Sequence, residues 1–116
     1  MKLVTITGCL GFIGSYVTRE CLRLGWKVYG IDKCTYAANE QLLDEFRSDN
    51  NFFFLQADIS TIDSLPVCDV VINLAAESHV GNSIINSDNF IDTNVVGTHN
   101  LLEIVRRQPN NVNERP

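Results

Sequence analysis

Three glycines and two aspartates are the residues of this sequence whose types and spacing could do chemistry. Gly8, Gly11 and Gly14 stand three apart in the run Thr7-Gly8-Cys9-Leu10-Gly11-Phe12-Ile13-Gly14, directly after the apolar, β-branched segment Leu3-Val4-Thr5-Ile6. At a strand–helix junction, Gly8 lets the chain turn sharply. Gly11, with no Cβ, lets a diphosphate approach the backbone, and Gly14 lets the helix pack close to the strand. The helix N-terminus then offers N–H groups and partial positive charge to an anion. An ordinary structural turn is the other reading of such glycines. The second strand decides between them, because it ends in an acid at Asp32.

Asp32 follows Gly14 by 18 residues, near the spacing of about 20 at which an acid receives the ribose hydroxyls of a dinucleotide. A carboxylate there would repel a 2′-phosphate and so favours NAD over NADP, while the neighbouring Lys33 tempers that preference. The alternative for Asp32 is a cap. Asp58 closes a third apolar strand and is expected to accept from an adenine amino group, with Ile59 beside the ring. Its alternative is the N-cap of the following turn. Ala75 and Ala76 keep the exit of a fourth strand narrow, either for a flat ring or pyrophosphate, or for tight packing alone. Ser78 and His79 lie on the loop that follows, where binding groups concentrate. His79 could equally be an exposed loop residue. His99 reads as structural, and Thr93 and Asn94 either contact the loops or bond the preceding turn.

The elements that must position these residues follow from periodicity. Strands are expected at Lys2–Thr7, Trp26–Asp32, Phe52–Ala57 and Val70–Leu74, and helices at Ile13–Leu24 and Glu40–Arg47. The first helix is expected to bury Ile13, Val17, Cys21 and Leu24 as one stripe. Ser60–Pro66 is too short for more than one helical turn and should be irregular or 3₁₀. A long helix is expected from Ser83 or Ser87 to about Arg107, weakened around Gly97 and its β-branched neighbours. The order β-α-β-α-β-β-α predicts an α/β fold, the first half of a doubly wound parallel sheet with strand order 3-2-1-4. Its ligand crevice would lie between strands 1 and 4. One domain over residues 1–108 is expected, followed by a loose polar tail over 109–116.

Composition narrows the partners. The chain has 116 residues, 45% apolar and 20% charged, with a formal net charge of −5. No basic run or basic–aromatic patch is present, which argues against nucleic acid or an anionic membrane. No stretch is long enough to cross a bilayer. Met1 leads at once into a strand without signal-peptide organisation, and a cytoplasmic location is expected. Cys9, Cys21, Cys34 and Cys68 form no metal-ligand spacing with His79 and His99. They are expected to be reduced packing residues, and no metal site is expected. Cys9 sits inside the glycine turn, where its thiol could be accessible.

Several motifs together then resemble a known family. Thr7–Gly14, Asp32-Lys33-Cys34-Thr35-Tyr36-Ala37-Ala38-Asn39, Ala57-Asp58-Ile59, Asn73-Leu74-Ala75-Ala76-Glu77-Ser78-His79-Val80 and Phe90-Ile91-Asp92-Thr93-Asn94-Val95-Val96-Gly97-Thr98 resemble the extended short-chain dehydrogenase/reductases. Within that superfamily they are most similar to nucleoside-diphosphate-sugar 4,6-dehydratases of the dTDP-glucose type. The resemblance implies a Rossmann-like fold and NAD as cofactor. It places Phe12 and Ile13 at the pyrophosphate, and Asp32, Lys33, Cys34 and Thr35 around the adenosine ribose. Asp58 and Ile59 would hold adenine. Leu74, Ala75, Ala76, Ser78 and Thr93 would line the path to the nicotinamide, and Ser78 would also reach a nucleotide-sugar substrate. In such enzymes NAD oxidises the sugar C4 hydroxyl, water leaves across C5 and C6, and the hydride returns to C6.

The sequence departs from that family at three places. Val80-Gly81-Asn82-Ser83 stands where the family usually has Val-Asp-Arg-Ser, which removes two charges near the substrate entrance. The crossover after Asp58 is short. The family's Tyr-x-x-x-Lys pair and Thr-Asp-Glu cluster follow a fifth strand, and these 116 residues contain neither. Tyr16 and Tyr36 are followed four residues on by Glu20 and Glu40, and Tyr29-x-x-x-Lys33 spans the end of the second strand. No catalytic residue is therefore assigned. The expected function is the NAD-binding portion of a dehydratase-like protein. The alternatives are a non-catalytic nucleotide-binding protein, or an interaction module that pairs through the exposed edge of strand 4. Self-association or pairing with another chain is expected on the same grounds.

Overall fold

Four consecutive residues of the first strand, Val4, Thr5, Ile6 and Thr7, are each 0% exposed. Successive side chains of a strand point to opposite faces, so both faces of this strand are covered, as a central parallel strand requires. The computed structural model describes residues 2–33, 39–75 and 92–108. They divide into two compact units, one comprising 2–33, 39–57 and 68–75, the other 58–67 and 92–108.

The first unit holds the sheet: β1 (Leu3–Thr7), β2 (Lys27–Asp32), β3 (Phe52–Gln56) and β4 (Val70–Asn73), with helices α1 (Phe12–Arg23) and α2 (Asn39–Arg47). All pairings are parallel and the strand order is 3-2-1-4, the Rossmann-like arrangement expected. Thr7 is in register with Ile31 on one side and Asn73 on the other. The carboxyl ends of β1, β2 and β4 therefore share one edge, and the order reverses between β1 and β4.

The core of this unit is built from Val4, Ile6, Cys9, Leu10, Cys21, Val28, Phe46 and Phe52, with Leu42 and Leu43 of α2 packed against it. Phe46 and Phe52 meet at 5.3 Å between ring centroids, a distance typical of favourable aromatic pairs. Arg19 of α1 and Glu45 of α2 form a two-point ion pair, with Nε to Oε2 at 2.6 Å and Nη2 to Oε1 at 3.1 Å. The bond from Arg19 holds the Glu45 carboxyl below the usual carboxylate range.

Helix α1 keeps the middle of its expected face, with Cys21 buried and Val17 packed against the core, and departs from it at both ends. Ile13 is 62% and Leu24 51% exposed, and the buried positions are Gly14, Ser15, Thr18 and Cys21. The large apolar residues suggested a stripe, but close approach to the strand–turn junction selects small side chains instead. Burial raises the thiol pKa of Cys21 above its ordinary range, in keeping with a packing role.

In the second unit, residues 58–67 carry only a turn and otherwise irregular chain, the outcome expected for so short a crossover. The long helix is described from residue 92. Asp92–Val96 is a π-helical segment, and α3 (Gly97–Arg106) continues it. The change from π to α falls at Gly97, where the β-branched run was expected to weaken the helix. The expected start of that helix at Ser83 or Ser87 and the tail 109–116 lie outside the described residues.

Candidate functional site

The glycine turn closes by backbone hydrogen bonds. Gly8 N–H donates to the Ile31 carbonyl at 2.7 Å, Gly11 N–H to the Gly8 carbonyl at 3.0 Å, and Ser15 N–H to the Gly11 carbonyl at 2.8 Å. Gly8 has φ +67°, the left-handed region that favours glycine. A Cβ on Gly8 would stand 2.6 Å from the Leu74 carbonyl oxygen, so β1 and the exit of β4 approach through this residue. A Cβ on Gly14 would stand 1.9 Å from the Gly8 carbonyl oxygen, which fixes how closely α1 sits on the turn.

Gly11 behaves differently. It is exposed, and a Cβ there would meet only the Gly8 carbonyl, at 3.3 Å, among the described residues. It forms the N-cap of α1 with no side-chain cap bond. The N–H groups of the first helical turn have no intrahelical partner, and the helix dipole adds positive potential. Phe12 and Ile13, 82% and 62% exposed, flank this end. The arrangement suits an oxyanion that approaches bare backbone.

Asp32 closes β2 beside the turn. Its Oδ2 accepts from the Leu10 N–H at 3.0 Å, so the acid expected to serve a ribose also fixes the glycine loop. Asp32 and Lys33 are tied to β3 and its exit as well. Ala57 N–H donates to the Asp32 carbonyl at 3.1 Å, and Gln56 Nε2 to the Lys33 carbonyl at 3.2 Å. Cys34 and Thr35 lie outside the described residues.

At the β4 exit, Thr7 does what sequence reading missed. Its buried hydroxyl donates to Asn73 Oδ1 at 2.5 Å and accepts from the Leu74 and Ala75 N–H groups at 3.0 and 3.2 Å. Leu74 N–H also reaches the Thr7 carbonyl, at 3.1 Å. One hydroxyl thus sets the position of the Leu74-Ala75 backbone. A threonine just before the first glycine and an asparagine at the end of strand 4 were the available signal. Ala76 and Ser78 lie outside the described residues, as do His79 and the rest of that loop. Thr93 falls in the π-helical segment, but its side chain is outside the description.

Gly30 was also missed. A Cβ there would stand 2.7 Å from Cys9 Sγ and 3.0 Å from the Phe52 ring. Cys9 fills the space this glycine leaves and is 0% exposed. Cys9 is thus the packing residue expected, and the alternative of an accessible thiol is excluded.

In the second unit, Asp58 Oδ1 accepts from Ser60 N–H at 2.9 Å and Ser60 Oγ at 2.7 Å. Its carbonyl accepts from the Thr61 and Ile62 N–H groups at 3.0 and 3.2 Å. Asp58 thus caps the turn it begins. Ile59 is 2% exposed and its carbonyl accepts from Asn100, so its side chain faces the interior. No group of three or more His, Cys, Asp or Glu among the described residues could hold a metal ion. None of the described helices is long and apolar enough to cross a membrane.

A turn of this build, set where the strand order reverses, can be compared with known proteins. The family model described as GDP-mannose 4,6 dehydratase matches residues 5–115. The chain belongs to this family. The dTDP-glucose 4,6-dehydratase of Salmonella typhimurium is 43% identical over 116 aligned residues, covering 92% of this chain and 31% of that protein. Among solved structures, the dTDP-glucose 4,6-dehydratase of Streptomyces venezuelae, determined with NAD bound, superposes with a TM-score of 0.78. It is 34% identical, over 89% of this chain and 35% of that one. The Bacillus anthracis enzyme in complex with NAD gives 0.73 at 28% identity, over 92% of this chain and 34% of that one. The chain spans about a third of the length of these relatives.

Proposed function

We propose that these residues form the NAD-binding portion of a cytoplasmic nucleoside-diphosphate-sugar 4,6-dehydratase of the dTDP-glucose type. One observation carries the reading. The side-chain-free Gly11 cradle and the Asp32 carboxylate bonded to Leu10 lie together at the carboxyl edge of β1 and β2, next to the β1–β4 step where strand order reverses. The relatives solved with NAD support it.

In this reading Gly8, Gly11 and Gly14 shape the turn, and the first-turn N–H groups of α1 with Phe12 and Ile13 meet the pyrophosphate. Asp32, Lys33, Cys34 and Thr35 surround the adenosine ribose, and Asp58 with the backbone of Ile59 serves adenine. Leu74, Ala75, Ala76, Ser78 and Thr93 border the nicotinamide, with Ser78 also toward a nucleotide-sugar. NAD would supply reversible hydride transfer at the sugar. The Thr7 hydroxyl fixes the Leu74-Ala75 backbone that such a ring would face. No positioned acid–base set of the family's kind is present in these 116 residues, so the isolated chain is expected to bind without turnover.

Calorimetric titration with NAD and NADP tests the assignment. NAD should bind more tightly than NADP, and Asp32→Ala should weaken NAD by at least about tenfold, the equivalent of one charged hydrogen bond. No binding at millimolar NAD would overturn the cofactor reading, and dehydratase turnover by the isolated chain would overturn the non-catalytic one.

A second reading has an observation of its own. Among the described strands β4 pairs only with β1, and its Val70 is 40% exposed. Such an edge can take another strand, from a partner or a second copy. Light scattering that shows a monomer at high concentration would count against it.

A further inference from the structure

Several of the bonds that shape the turn from Asp58 to Ile62 run between its own residues, no more than four apart. Such bonds give the turn its shape but anchor it to nothing. Residues 62–68 that follow have no regular structure, so no strand or helix of their own fixes them either.

A long-range anchor comes from α3. Asn100 Nδ2 donates to the Ile59 carbonyl at 2.8 Å and to the Ile62 carbonyl at 2.8 Å. Both amide hydrogens are thus spent on the two carbonyls that bracket the turn. Gln108 does the same further along, with Nε2 toward the Leu65 and Pro66 carbonyls at 3.4 and 3.2 Å. Asn100 grips the end that carries Asp58 and Ile59, and Gln108 the far end. We propose that Asn100 is a positioning residue for binding of the adenine ring, acting through the turn that presents Asp58 and the Ile59 backbone. This rests on the NAD reading above. It adds a residue that would touch no ligand and would act on one half of the dinucleotide only.

The chemistry of the contact defines the variants. Asn100→Asp replaces the two-hydrogen donor with a carboxylate facing two carbonyl oxygens, which repel it. Asn100→Ser removes the amide without adding bulk or charge. The 116-residue chain and both variants are titrated with NAD, AMP and nicotinamide mononucleotide, with folding checked by circular dichroism. Hydrogen exchange is followed over residues 58–66. The expected result is a loss of about tenfold for NAD and AMP, the equivalent of one to two hydrogen bonds, with nicotinamide mononucleotide unchanged. Exchange over 58–66 should rise in both variants.

Equal losses for AMP and nicotinamide mononucleotide would make Asn100 a general stability residue and overturn the proposal. Unchanged AMP affinity in a folded variant would overturn it too. If the unaltered chain binds nicotinamide mononucleotide and NAD but not AMP, the proposal falls while the NAD reading stands. If it binds none of the three, the NAD reading fails and the adenine role with it. Exchange then still decides whether Asn100 anchors the turn.

Discussion

The glycine turn and the Asp58 turn are both short, irregular pieces of chain, and they are held by opposite means. The first is fixed by what it lacks. Gly8 and Gly14 allow backbone to meet backbone at distances a Cβ would forbid. The second, besides its own short bonds, is held by side chains that reach in from elsewhere, Asn100 to the turn and Gln108 to the chain just after it, across 38 to 43 residues of sequence. A turn built from missing atoms has no tolerance for added ones. A turn built from donated hydrogen bonds can lose one and keep its path.

The sharpest way to break this contrast is at Gly14. Gly14→Ala puts a methyl 1.9 Å from the Gly8 carbonyl oxygen. It should cost about 3 kcal/mol or more, the upper range for overpacking, read as a large fall in the urea midpoint. Gly25→Ala is the control. Gly25, unlike the helical Gly14, has positive φ, at +81°, but nothing lies within 4 Å of its Cβ position, so about 1–2 kcal/mol is expected from backbone conformation alone. Equal effects of the two would mean that close approach does not govern the glycine turn.

Thr7→Val sharpens the comparison from the other side, because it tests a side-chain anchor within the backbone-built region. It leaves Asn73 Oδ1 and the Ala75 N–H without the hydroxyl. It should cost about 1 kcal/mol or somewhat more for the hydrogen bonds lost with the buried hydroxyl, and Thr7→Ser should restore most of that. If Thr7→Val is as stable as the parent, the hydroxyl does not hold the β4 exit.

The smallest effect concerns pH. Glu45 has its carboxyl pKa lowered, chiefly by its bond to Arg19. A depressed carboxylate contributes stability above its unfolded pKa and loses it as pH falls through the folded pKa. The pair is half exposed, at 42% and 48%, so the contribution is small. Glu45→Gln should lower the neutral plateau slightly and leave stability at low pH unchanged, so the acid limb becomes shallower. A parallel shift at every pH would assign the pair no role in acid sensitivity.

What the sequence revealed follows the same division. The glycine run, the acid at the end of β2 and the strand order were legible because each is a local pattern with a local cause. The buried face of α1 was legible at Val17 and Cys21 but misread at Ile13 and Leu24, because large apolar residues were counted. The packing distance at this turn instead selects Gly14, Ser15, Thr18 and Cys21. Thr7 and Asn73 act across 66 residues, and Asn100 across 41 to reach Ile59. A polar pair at such separation leaves no periodicity to read. Asp58 carried both of its readings in the sequence, and its capping bonds became visible only with the turn folded.

The fit between Cys9 and Gly30 has a practical consequence. Cys9 Sγ lies where a Gly30 side chain would be, sealed by the Phe52 ring and wholly shielded from solvent. A thiol reagent can reach it only when β2 and the glycine turn separate. Peptide-resolved alkylation of Cys9 therefore clocks the opening of this junction, with no label to introduce. A ligand that grips the turn should slow that clock.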